Sequence, residues 1–136
     1  MAEYPSILIV EDDPEFRSIA MSCLQNYKKH IAPTAEAALA QYKITCPDIT
    51  LLDINLPDGS GLDVLKKIIA YDPEAFVVMM TQSSLAKDVA TAHDYGARSY
   101  ITKPFSQLKI QEAVRLYYEY RDYLKKCSPE ERAQVY

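Results

Sequence analysis

The sequence predicts an open, doubly wound α/β fold: a five-stranded parallel sheet with five helices over its two faces. Three observations predict it. Short, largely apolar runs at residues 7–10, 49–52 and 76–80, the first of them unbroken, have the length and composition of strands buried on both faces. Segments with helical spacing of apolar residues separate them, the alternation that signals βαβ units. At 136 residues the chain suits one such domain, able to bury roughly two-thirds of its unfolded surface.

The elements follow in order. The first strand is expected over residues 7–10. Asp13 then caps a helix that has Pro14 at its first position, and Phe16, Ile19, Ala20, Cys23, Leu24 and Tyr27 recur on one face. The second strand, residues 30–32, has the weakest pattern. Thr34 can cap a helix running to about Tyr42, and Pro47 marks the next boundary. The third strand, 49–52, leads through a loop at 55–61 into a helix with Leu62, Leu65, Ile68 and Ile69 facing inward. After the fourth strand, 76–80, Ser83 or Ser84 caps a helix that ends at Gly96, because glycine tolerates positive φ. The fifth strand is expected at 100–102. Ser106 caps the last helix, and Phe105 with Ile110 has hydrophobic-staple spacing.

The last helix carries two stripes. Ile110, Ala113, Val114 and Tyr117 form its core face. Leu116, Tyr120, Tyr123 and Leu124 form a second, read either as partly buried or as a partner face or connector. The domain is expected over residues 1–124, with 125–136 a C-terminal tail or the start of a connector.

Composition excludes several classes. Apolar residues make up 49% and charged residues 25%, the balance of an ordinary globular protein. No apolar run approaches the length needed to span a bilayer, and the first five residues lack the pattern of a signal peptide. The three cysteines are scattered without C-x-x-C spacing, which fits a reducing, cytoplasmic setting with neither disulfides nor a zinc site. Net charge is −4 and no basic cluster stands out, so no nucleic-acid partner is expected through this chain. His30 and His93 have no accompanying ligand residue and read as surface positions.

The chemistry lies at the strand ends. The first strand runs into Glu11-Asp12-Asp13, the third into Asp53, the fourth into Thr81 and the fifth into Lys103-Pro104. In a parallel sheet these ends share one rim, and ligands bind where the strand order reverses. The flavodoxin-like order two-one-three-four-five suits this length and makes strands one and three neighbours there. Close carboxylates repel, so a proton or a cation must compensate. An all-oxygen set without His or Cys favours a hard cation such as Mg²⁺. A carboxylate can also accept a phosphoryl group as an acyl phosphate, with a lysine and a metal neutralising the phosphoryl oxygens.

These residues resemble the receiver domains of bacterial two-component response regulators. The matching segments are ILIVEDDP, DITLLDINLPDGSG, VVMMT and SYITKPF, and the similarity covers roughly residues 6–124. The resemblance implies that Asp53 is the phosphoacceptor and Asp12 a direct Mg²⁺ ligand. Glu11 would act mainly through a coordinated water, and Asn55 would offer its backbone carbonyl. It implies that Thr81 and Lys103 contact phosphoryl oxygens, that Thr81 and Tyr100 shift together on activation, and that the Lys103-Pro104 bond is cis. The donor would be a sensor histidine kinase or a phosphotransfer protein, with homodimerisation through the last two helices and adjoining strand as a further expectation. The resemblance implies a phosphoacceptor domain rather than an enzyme in the ordinary sense, one expected to catalyse its own phosphoryl transfer and slow dephosphorylation. Gln82 departs from the family, which usually has a small residue there.

Other architectures of this kind fit less well. A flavin site needs a phosphate-cradling loop after strand one, and that position is acidic here. A haloacid-dehalogenase-type phosphatase needs a second aspartate two residues past the nucleophile, where this chain has Asn55. No G-x-x-x-x-G-K loop is present for ATP. The alternative that remains is a receiver-like interaction module that works without phosphorylation.

Overall fold

The computed structural model describes residues 4–82, 86–103 and 106–126. Strands β1 (Ser6–Val10), β2 (Lys28–Ala32), β3 (Ile49–Asp53), β6 (Val77–Thr81) and β7 (Ser99–Thr102) form one parallel sheet in the order β2-β1-β3-β6-β7. Counted along the chain as the five long strands, this is the expected two-one-three-four-five order. A two-stranded antiparallel ribbon, β4 (Asn55–Leu56) with β5 (Gly59–Ser60), stands where the sequence suggested only a loop. Among the described residues the helices are α1 (Pro14–Cys23), α2 (Ala35–Thr45), α3 (Gly61–Tyr71), α4 (Ala86–Asp94) and α5 (Gln107–Lys126).

The central strands β1, β3 and β6 are buried along almost their whole length and mostly apolar because both faces are covered. Leu8, Val10, Leu52, Val77 and Met79 point to one core, with Ala38 and Tyr42 of α2, Leu65 and Ile68 of α3, and Ala92 of α4. Ile7, Ile9, Leu51, Val78 and Met80 point to the other, with Ala20 of α1 and Ile110, Ala113 and Tyr117 of α5. The two-residue period thus divides each strand between the layers. Each fully buried leucine or isoleucine contributes roughly 1.5–3 kcal/mol relative to exposure.

Capping matches the sequence signals closely. Asp13 accepts from the Glu15 amide at 2.9 Å, with Pro14 opening α1. Thr34 accepts from the Ala37 amide at 3.0 Å, and Gly96 adopts φ 108° after α4. The Ile110 amide bonds the Ser106 carbonyl at the start of α5. Differences are at the edges. Strand β2 starts two residues earlier than its weak apolar pattern indicates, because Lys28 and Lys29 pair in register with Ser6 and Ile7. Helix α2 runs three residues beyond Tyr42 and stops on Cys46, which takes a left-handed φ of 46° before Pro47. In α3, Val64 is buried while Leu62 and Ile69 pack only partly against the core. The caps at Ser83 or Ser84, the Phe105 staple, the Lys103-Pro104 bond and residues 127–136 lie outside the described residues.

Tyr120, in the second stripe of α5, is docked rather than free. Its hydroxyl donates to the Glu74 carbonyl at 3.1 Å, and the Arg98 guanidinium lies 4.5 Å from its ring centroid. Tyr123 on the same stripe is 48% exposed. The described helix continues to Lys126.

Candidate functional site

The carboxyl ends of four parallel strands meet on one rim. β1 feeds into Glu11 and Asp12, β3 ends on Asp53, β6 ends on Thr81, and Lys103 follows β7. The register pairs Val10 with Leu52, which sets Glu11 alongside Asp53. Glu11, Asp53, Thr81 and Lys103 are all buried, an arrangement that polar groups tolerate only with partners.

Lys103 supplies the pairing. Its Nζ donates to both Glu11 carboxylate oxygens, at 2.9 and 2.8 Å, and to Asp53 Oδ2 at 3.1 Å. On its flank, the Phe16 ring centroid lies 4.3 Å from Nζ. Burial pushes the Glu11 carboxyl up to about 7; Lys103 opposes that rise, and the neighbouring Asp53 adds to it.

Asp12 lies exposed at the lip. Glu11, Asp12 and Asp53 each place a carboxylate oxygen within 4.8 Å of the others. One ammonium faces three acidic groups, so the cluster keeps a net negative charge when all are ionised. This all-oxygen donor set, sparse and partly open to solvent, fits a hard divalent cation of the Mg²⁺ type.

Local structure fixes these groups. The Asn55 amide donates to Asp53 Oδ1 at 3.3 Å, and the Asp13 amide to Glu11 Oε1 at 3.3 Å. Arg17 Nη1 reaches the Glu11 carbonyl at 3.3 Å. The Lys103 amide donates to the Thr81 carbonyl at 2.7 Å, tying the ends of β6 and β7 together. Tyr100 lies mid-strand opposite Met79, half-buried against the α2–α4 core, two strand positions from the Thr81–Thr102 pair. Gln82 is exposed beyond Thr81.

Three contributors escaped the sequence reading. Gly61 starts α3 against the end of β3, and a Cβ there would overlap the Asp53 carbonyl. Asp58, in the ribbon turn, accepts from the Ala35 and Glu36 amides at 2.7 and 3.1 Å and so helps cap α2. Phe16 was legible only as a core residue of α1. The Asp-Gly-Ser-Gly run signals a turn, but which glycine meets backbone depends on the docking of α3.

The sequence profile of the response regulator receiver domain matches residues 7–115. The chain belongs to this family. Receiver relatives include the chemotaxis protein CheY of Listeria monocytogenes, 32% identical over 79% of this chain and 93% of that protein. A CheY-like receiver domain of Methanospirillum hungatei superposes with a TM-score of 0.82 at 27% identity, covering 88% of this receiver and 98% of that chain. The CheX–CheY–BeF3–Mg²⁺ complex of Borrelia burgdorferi gives 0.79 at 25% identity, covering 83% and 88%. This receiver spans under half of two transcriptional regulators it matches, 46% and 43% of their lengths. Among the described residues no helix is long and apolar enough to cross a membrane.

Proposed function

We propose that this receiver is a phosphorylation switch in which Asp53 accepts a phosphoryl group from a histidine kinase or phosphotransfer protein. The observation that carries the reading is the convergence of Glu11, Asp12, Asp53 and Lys103 on one rim, with a buried ammonium touching the proposed acceptor. An Asp53 oxygen bonds to phosphorus as the phosphorus–nitrogen bond of the donor phosphohistidine breaks, and the histidine, keeping the proton already on its other ring nitrogen, leaves as neutral imidazole. Lys103, 3.1 Å from Asp53 Oδ2, is placed to neutralise one phosphoryl oxygen. Asp12 and Asp53, the Asn55 carbonyl, and Glu11 through water would hold Mg²⁺. When bound, that ion supplies charge neutralisation for the remaining oxygens. That the Borrelia CheY forms a complex with beryllofluoride and Mg²⁺ supports a Mg²⁺-dependent reading for this receiver.

Phosphorylation replaces the single carboxylate charge of Asp53 with a phosphoryl group carrying about −1.5 to −2; that group draws the Thr81 hydroxyl inward, and Tyr100 follows into the space vacated beside it. That movement is the output, read by a downstream effector or a second copy on the neighbouring face. A cytoplasmic setting follows from a kinase donor. Residues 125–136 then serve as a tail or connector.

Incubation with acetyl phosphate and Mg²⁺, read by intact mass, tests the reading. One added phosphate, lost in Asp53→Asn and on chelation, is expected. No uptake at any donor concentration, with beryllofluoride also failing to bind, would favour an interaction module that works without phosphorylation.

A further inference from the structure

The Phe16 ring lies against the Lys103 ammonium. Helix α1 begins at Pro14, capped by Asp13, so Phe16 falls in the first turn. Side chains there lean toward the helix N-terminus, which here is the rim of the site. The ring meets Lys103 Nζ at 4.3 Å from its centroid, on the flank of an ammonium that donates to both Glu11 carboxylate oxygens and to Asp53. A residue needed only to fill the α1 core could be any aliphatic side chain. An aromatic face beside a buried cation adds an electrostatic attraction that leucine or methionine lacks.

We infer that Phe16, through its π face, fixes the Lys103 ammonium at the boundary between Glu11 and Asp53. This inference rests on the proposed role of Lys103 toward the phosphoryl group. In that role Nζ must shift its bonds from Glu11 to a phosphoryl oxygen without leaving the rim. A ring on its flank holds the ammonium through that exchange, because cation–π attraction tolerates small lateral movement where a hydrogen bond does not. Phe16 thereby makes the hand-over a short one.

The test separates the ring's electrostatics from its shape. Phe16 is replaced by 3,4,5-trifluorophenylalanine, which keeps the volume and weakens the negative face, alongside Phe16→Tyr and Phe16→Leu. The first readout needs no metal or donor: hydrogen exchange of the Lys103 ammonium, followed by ¹⁵N–¹H NMR in the metal-free protein. The second is the rate of phosphate uptake at Asp53 from acetyl phosphate. With melting temperature matched to the parent, the trifluoro form is expected to exchange roughly three- to thirty-fold faster, the span of cation–π contacts from exposed to desolvated sites. Its uptake should slow in the same direction, and Phe16→Tyr should behave as the parent. Equal exchange in the parent and trifluoro forms would overturn the inference. Faster exchange with unchanged uptake would keep the contact and remove its part in transfer. Faster exchange with no uptake even in the parent would count against the phosphoryl reading while leaving the contact in place.

Discussion

Lys103 and Glu11 form a buried ion pair in which one ammonium bridges both carboxylate oxygens, at 2.9 and 2.8 Å, while a third bond reaches Asp53. The two residues stand ninety-two positions apart and meet only because β1 and β7 end on the same rim. The pair therefore couples the fold's topology to the charge balance of the site.

Removing the cation should expose that balance. Lys103→Met leaves Glu11 and Asp53 buried without their partner, and breaking a buried pair in this way costs about 3–5 kcal/mol. Urea denaturation at neutral pH without metal is expected to show that loss, and added Mg²⁺ should recover part of it.

Glu11 predicts a pH dependence whose sign is fixed by its raised carboxyl. Its ordinary value of 4.5 rises to about 7 in the fold, so the folded chain holds this proton more tightly than the unfolded one. The resulting stability is complete below about 4.5 and is lost as pH rises through about 7. Metal-free protein should lose stability across that window with a slope of up to about 1.4 kcal/mol per pH unit from this group. Glu11→Gln should lack the component, as a comparison of denaturation midpoints from pH 5 to pH 8 would show.

Gly61 and Gly59 give a matched pair of alanine substitutions. At Gly61 the new methyl group meets the Asp53 carbonyl, whereas at Gly59 nothing lies within 4 Å. Gly61→Ala should destabilise by about 1–3 kcal/mol or more through forced backbone displacement and weaken Mg²⁺ binding. Gly59→Ala should stay within about 0.5 kcal/mol of the parent.

Asp58 links the ribbon to α2. Its carboxyl lies below the usual carboxylate value, chiefly because the Ala35 and Glu36 amides donate to it. That stability is present above the unfolded value of 3.8 and lost as pH falls through the lower folded value. Asp58→Ala should accelerate amide exchange at Ala35 and Glu36, with Ala37, bonded to Thr34, less affected.

Much of this was legible from particular residues. The Asp13-Pro14 start, the Thr34 cap and Gly96 are local devices whose chemistry acts within a few positions, and each appeared where expected. The rim followed from strand order, because β1, β3, β6 and β7 each run into a polar residue at the carboxyl end. The ribbon was not legible, since two-residue strands carry no periodicity and their pairing depends on α3. Nor was the Lys103–Phe16 contact, because the helical repeat that assigns Phe16 to the core cannot show that its ring also reaches the neighbouring strand end. Lys28 and Lys29 hid the start of β2, an edge strand where charged residues are tolerated.

Gln82, exposed past Thr81, offers a test of access. Gln82→Ala should raise the rate of phosphate uptake severalfold while leaving the denaturation midpoint within about 0.5 kcal/mol of the parent. Stopped-flow uptake with acetyl phosphate in saturating Mg²⁺ would measure it.

The most direct test of the central claim is to locate the phosphoryl group. Protein treated with acetyl phosphate and Mg²⁺ is reduced with borohydride, which converts an acyl phosphate to an alcohol, and its peptides are sequenced by mass spectrometry. The account predicts homoserine at Asp53 and at no other aspartate. Modification at Asp12, or an untouched Asp53 in protein that has gained a phosphate, would contradict it.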